Sequence, residues 1–158
     1  MRQLLTGLTT IFALNACGGS STAPTPLPSD LASAPTRVVL AGKSLALDAS
    51  LSRDFMPISP ADGKPLNAVL QVRTEDGSDV PATVRADTVW VLNGADVWST
   101  VPREERSRNE TAPVYELAAR EGPKWGPGIN VDVVVRLHDI DGVESLLRVA
   151  NRPIQGTF

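Results

Sequence analysis

From residue 37 onward the chain keeps changing face every second residue and keeps stopping at a turn. Residues 66–74 read LNAVLQVRT, with Leu66, Ala68, Leu70 and Val72 on one side and Gln71 and Arg73 on the other. Residues 129–137 repeat the pattern with Ile129, Val131, Val133, Val135 and Leu137. A period of two puts one row of side chains on each face of a strand, so such runs build sheets and not helices. Between the runs stand Asp76-Gly77, Asn93-Gly94 and Asp141-Gly142. Asn-Gly between apolar runs is the strongest short-range hairpin signal, and here predicts a type I′ turn with positive φ at both residues.

The remaining strand expectations follow the same logic. Runs at 37–41 (RVVLA) and 44–48 (SLALD) straddle Gly42-Lys43. Residues 87–92 (DTVWVL) and 95–101 flank the Asn93-Gly94 turn, with a short run at 83–86 before them. Residues 143–150 return from Asp141-Gly142, and 151–158 are expected to run along an edge. Residues 129–137 carry Val134 on their second face as well, which places that strand centrally. Residues 54–66 hold three prolines and Asp62-Gly63, predicting a loop anchored by Phe55 or Met56. Residues 103–110 (REERSRNE) predict a charged loop or one helical turn, and 113–120 a strand or a short helix. The sum is an all-β domain of about seven or eight strands, most economically an antiparallel two-sheet sandwich, with a small barrel as the alternative.

The chain ahead of residue 37 differs in kind. Residues 4–14 (LLTGLTTIFAL) follow Arg2 and form an apolar run of eleven, too short for a bilayer span of about 20 residues. The pattern fits a secretory leader. Residues 18–36 are mostly small, polar or proline, with four prolines and almost no large apolar side chains, and predict an unfolded tether. The expected division is a leader at 1–16, a cysteine and Pro/Ser/Thr-rich stalk at 17–36, and one domain at 37–158. A core-forming part of roughly 120 residues is large enough to fold without disulfides.

Leu14-Asn15-Ala16-Cys17 closes the leader, and Cys17 is the only cysteine. These residues resemble the lipobox of bacterial lipoproteins, with Leu14 at −3, Ala16 at −1 and Asn15 departing from the usual small residue at −2. The resemblance implies cleavage before Cys17, diacylglycerol on its thiol, and retention in the cell envelope by several acyl chains, since one chain anchors only marginally. Gly18, where retained inner-membrane lipoproteins tend to carry aspartate, implies the outer membrane in a cell that has one. The domain, over residues 45–154, is similar to immunoglobulin-like or fibronectin type III-like sandwiches. That likeness rests on strand number, Trp90 in a mid-chain strand, and the Trp125 corner before the 129–137 strand. It lacks the cysteine pair of antibody domains.

Composition narrows the function classes. At 42% hydrophobic, 21% charged and net charge −3, the chain has no basic footprint for nucleic acid. Nucleophilic catalysis needs a base beside the nucleophile. The single histidine, His138, stands at a strand end, and there is no Gly-x-Ser-x-Gly elbow. Asp139-Ile140-Asp141-Gly142 begins like a calcium loop but lacks the later ligands, and the hairpin explains it. Asp76-Gly77-Ser78-Asp79 reads the same way. Glu104-Glu105 beside Arg103, Arg106 and Arg108 reads as a solvated salt-bridged loop, and Asn109-Glu110-Thr111 as an incidental sequon. No catalytic residue, metal site or cofactor is assigned. Trp90, Trp98 and Trp125 are read first as packing, with Trp98 as the candidate for sugar or peptide recognition. The expectation is a membrane-anchored, non-catalytic binding module. Its partners would be the membrane through lipid on Cys17, and an envelope protein or glycan. The alternatives are an accessory protein working by assembly, and a metal or enzyme site at His138–Asp141.

Overall fold

A computed structural model describes residues 25–105 and 112–158. Cys17 and its lipobox, Arg106, Arg108 and the 109–111 sequon lie outside the described residues. Among the described residues nine strands follow one short helix: α1 (Pro28–Ala32), β1 (Arg37–Leu40), β2 (Lys43–Asp54), β3 (Leu66–Thr74), β4 (Arg85–Asn93), β5 (Asp96–Thr100), β6 (Arg103–Glu104), β7 (Val114–Gly122), β8 (Asn130–His138) and β9 (Glu144–Thr157). The domain is all-β.

The hydrogen-bonded order is β5-β4-β8-β9-β2-β3-β7-β6, with β1 added to β2. This is one continuous mixed sheet, which corrects the expectation of two separate antiparallel sheets. The join is the parallel pairing of β9 with β2, Leu51 opposite Ile154 through Asp54 opposite Thr157. Residues 151–158 therefore sit inside the sheet, not at its edge. β9 pairs with β8 in its first part, kinks at Asn151 (φ 58) beside a bulge between Val131 and Val133, and then reaches β2. The Asp132 carboxylate accepts the Asn151 N–H at 2.8 Å and fixes the kink. A chain end looks like an edge from sequence because partner exchange leaves no periodic mark.

The sheet must also curl. β5 and β6 are at opposite ends of the order yet are joined by only Val101 and Pro102. Thr100 and Arg103 are three residues apart, a span of at most about 11 Å. The result is a half-barrel whose inner faces meet in one core. Leu66, Ala68, Leu70 and Val72 of β3 and Val133, Val135 and Leu137 of β8 are fully buried there, as their alternation required.

On the edge of β2, β1 pairs with its first part (Arg37 opposite Ala46) and β9 with its last part. Arg152 closes the gap between them, donating to the Ala49 carbonyl at 2.8 Å and pairing with Asp48 at 2.6 Å. The Ala41-Gly42 turn has positive φ at both residues, the type I′ pattern. The hairpin at Asn93-Gly94 is where the sequence placed it, but Asn93 pairs with Asp96, so Gly94 and Ala95 are central. Only Gly94 (φ 61) is positive there, the type II′ pattern.

A second correction concerns the stalk. Residues 28–36 belong to the folded domain: Leu31 of α1 is 1% exposed and packs with Ala34 on Trp90, Leu92 and Val134, on the outer face of β4 and β8. Arg148 holds the following segment, donating through its backbone N–H to the Pro35 carbonyl at 2.8 Å and through Nε to the Ala34 carbonyl at 3.1 Å. The same guanidinium pairs with Asp132 at 2.8 Å. Val134, Trp90 and Leu92 are apolar on their outer face because α1 covers them.

Where the sequence allowed alternatives, 113–120 is strand β7, and Arg103–Glu104 forms the short strand β6. Of the two candidate loop anchors, Met56 is exposed whereas Phe55 stacks on Phe158 with ring centroids 5.3 Å apart. The deeper anchor is Arg53, which is 4% exposed. Its Nε donates to the Lys64 carbonyl at 2.9 Å, and its Nη1 to the carbonyls of Lys124 (3.0 Å) and Gly126 (2.8 Å). Nη2 reaches the Asp62 carbonyl. One guanidinium thus gathers the 55–65 and 123–128 loops onto the end of the half-barrel.

Surface carboxylates tie the same loops and turns. Asp54 is held below the ordinary 3.8, first by its hydrogen bond to Lys64, and Asp62 likewise by Lys124. Asp76 is held well below it, first by the Ser78 hydroxyl and backbone N–H. A carboxylate whose folded pKa is depressed adds stability that is complete above its unfolded pKa and is lost as the pH falls through the folded value. The urea midpoint is therefore expected to decline as pH drops below about 4. A midpoint unchanged between pH 5 and 2.5 would show these pairings contribute nothing.

Candidate functional site

A recess of about 260 Å³ lies on the outer face of β2, β3 and β7. Ser52 and Asp54 point into it from β2 and Asn67 from β3, positions that alternate with the buried Leu51, Arg53, Leu66 and Ala68. Lys64 forms the rim, and its place follows from Arg53, whose Nε holds the Lys64 carbonyl.

β7 supplies the unusual wall. Leu66 is opposite Gly122 and Ala68 is opposite Ala119, so the single residue Asn67 faces two, Arg120 and Glu121. This is a β-bulge, and it re-aims side chains that would otherwise point to opposite faces. Both Arg120 and Glu121 line the recess. Glu121 is in the left-handed region at φ 62, a conformation that costs about 1–3 kcal/mol for a residue with a side chain.

The polar groups divide into satisfied and unsatisfied ones. The Lys64 ammonium donates to the Asp54 carboxylate at 2.6 Å, a closed pair. Among the described residues, neither Arg120 nor Glu121 takes part in an ion pair or side-chain hydrogen bond. The Asn67 Oδ1 is buried without a hydrogen-bond partner. Native proteins rarely leave such an acceptor unmet. Among the described residues, the recess therefore sets a cation and an anion without ion-pair partners beside a buried carboxamide oxygen that no donor meets.

The sequence-predicted residues fall elsewhere. Trp98 is half-buried and packs against the main core. A Cβ built on Gly122 would stand 2.8 Å from its indole, so the ring lies over the Gly122 Cα on the core side of β7 and does not line the recess. Trp90 is buried under α1, with Arg136 at 5.8 Å from its ring centroid, and Trp125 packs against the core from its loop.

His138, Asp139 and Ile140 line a shallow groove of about 280 Å³ with Arg85 and Thr83. Asp139 is committed to its turn, one carboxylate oxygen accepting the N–H groups of Asp141 and Val143 at 3.0 Å each. Among the described residues no cluster of three His, Cys, Asp or Glu side chains is placed to hold a metal. Asp76 caps the 76–79 turn through Ser78. Of the Glu104-Glu105 pair, Glu105 meets Arg103 at 3.8 Å on the surface. Glu104 turns inward and accepts from the buried Tyr115 hydroxyl at 2.5 Å, while that hydroxyl accepts the Ala86 N–H at 3.1 Å.

Arg120, Glu121 and Asn67 were not singled out by the sequence reading. Their signal is weak in one dimension. Arg-Glu-Gly at the end of a predicted strand is ordinary, and only the register with β3 reveals the bulge. No protein-family model matches the chain, and no curated protein matches it either.

Proposed function

We propose that this chain is a lipid-anchored, non-catalytic binding module of a bacterial cell envelope, carried at the outer membrane in a cell that has one. The observation that carries the binding part is the recess at the β7 bulge, with an unpaired cation and anion on an open face. The anchoring part rests on the Leu14-Asn15-Ala16-Cys17 lipobox. We read the domain as an immunoglobulin-like relative whose two halves stay joined through β9 and β2, a reading supported by the single core enclosed between them. The non-catalytic reading is supported by His138, whose neighbour Asp139 is engaged by backbone amides. Among the described residues no helix is long and apolar enough to cross a membrane.

With α1 docked, the free tether would run from Cys17 to Leu27. Eleven residues reach at most roughly 40 Å when fully extended, so the domain would stand close to the lipid surface. Cys17→Ser in the full chain is expected to move the protein from the membrane fraction to the soluble fraction and to abolish the lipid mass increment. Partition and mass unchanged by the substitution would rule out the anchor.

A further inference from the structure

We propose that the recess binds a small zwitterion of the α-amino-acid class, its carboxylate on Arg120 and its ammonium on Glu121. This inference rests on reading the recess as a binding site. The volume sets the size of the group the recess itself can seat: about 260 Å³ equals roughly eight or nine waters at ~30 Å³ each, enough for an amino acid. The charges set the class. Lys64 and Asp54 already neutralise each other at 2.6 Å, which leaves Arg120 and Glu121 as the charges of the recess without an ion-pair partner among the described residues.

A simple anion would meet the Glu121 carboxylate, and a simple cation would meet the Arg120 guanidinium. A ligand that carries both charges a few bonds apart avoids both conflicts, and each contact becomes a charge-assisted hydrogen bond. The guanidinium fork also matches a carboxylate in two-point geometry. The bulge is what makes this possible, because consecutive residues of a regular strand would show only one of the two charges to the recess. Asn67, opposite the bulge, adds a carboxamide whose oxygen has no internal partner. That amide is not locked into a network and can turn an acceptor or donor toward the ligand. A sugar is disfavoured because no aromatic ring lines the recess, Trp98 facing the core side of Gly122.

The test is a titration of the isotope-labelled full chain in detergent micelles, followed by amide NMR shifts. The probes are glycine and L-alanine, with acetate, methylammonium and glucose as comparators. Glycine and L-alanine are expected to shift the amides of Asn67, Arg120 and Glu121 saturably, with acetate and methylammonium at least about tenfold weaker. R120Q and E121Q should each weaken glycine binding about tenfold or more while leaving the melting temperature unchanged, since neither side chain has a partner to lose. Acetate matching glycine would overturn the zwitterion in favour of a plain anion site. Glucose shifting these amides with glycine silent would overturn the zwitterion and leave the recess as a binding site. Silence from every probe would overturn both.

Discussion

Arg53→Met is expected to lower the unfolding free energy by about 3–5 kcal/mol. Methionine keeps most of the volume, so the loss is not a cavity. It removes the donors that hold the carbonyls of Asp62, Lys64, Lys124 and Gly126. Each of those carbonyls belongs to a loop with no strand partner to replace the bond. A hydrogen bond from a charged donor is worth about 1.5–3 kcal/mol, and several are lost at once, which is why the total exceeds the usual worth of a surface hydrogen bond. The guanidinium also sits 4.8 Å from the Phe55 ring centroid, a contact methionine replaces only in part.

Arg53→Lys is expected to recover less than half of the loss. An ammonium has three donors on a point charge and cannot reproduce a planar fork aimed at four oxygens. Urea unfolding measures both variants, and amide exchange locates the damage in the 55–65 and 123–128 segments. A methionine variant as stable as the parent would show that the buried arginine is a passenger. Because Arg53 also positions the Lys64 backbone, the rim of the recess should loosen with it.

Leu31→Ala is expected to cost about 2–4 kcal/mol and to red-shift tryptophan emission. A helix of five residues cannot stand alone, since isolated helices shorter than about 12 residues are marginal in water. α1 exists because Leu31 and Ala34 bury against Trp90, Leu92 and Val134. Truncating Leu31 removes most of that contact and opens Trp90, now 4% exposed, to water. Leu27→Ala is the control: Leu27 is 63% exposed, and its loss should change stability by less than about 0.5 kcal/mol. Equal stability of the Leu31 and Leu27 variants would mean that residues 28–36 behave as tether after all.

These two residues mark where reading the sequence stopped short. Arg53 sits at an inward position of a strand, between Ser52 and Asp54, and nothing in its sequence neighbourhood marks it as buried. Its partners are carbonyls from residues 62 to 126, and carbonyls have no side-chain signature. Leu31 is one leucine in a proline-rich stretch, too little apolar area to announce a docked helix. The matching signal was on the other side of the contact, where Val134, Trp90 and Leu92 are apolar at outward positions. Of these, Val134 points to a central strand, which β8 is, flanked by β4 and β9.

The local structure was decided by the order of residues alone. Alternation in 66–74 and 129–137 put Leu66, Leu70, Val133 and Val135 inside, because a strand has only two faces and water excludes one row. The turns at Gly77 and Gly142 fell where the dipeptides placed them and that at Gly94 one residue later, since positive φ is cheap only for a residue without Cβ. Partner choice was decided only in three dimensions. The exchange of β9 from β8 to β2 and the curl imposed by the two-residue link from β5 to β6 depend on registers between distant segments. The same is true of the bulge that faces Asn67 with both Arg120 and Glu121. Backbone hydrogen bonds are blind to side-chain identity, so nothing in the sequence names which strand a given N–H will meet. The recess is built from such pairings, which is why it became visible only once β3 and β7 lay side by side.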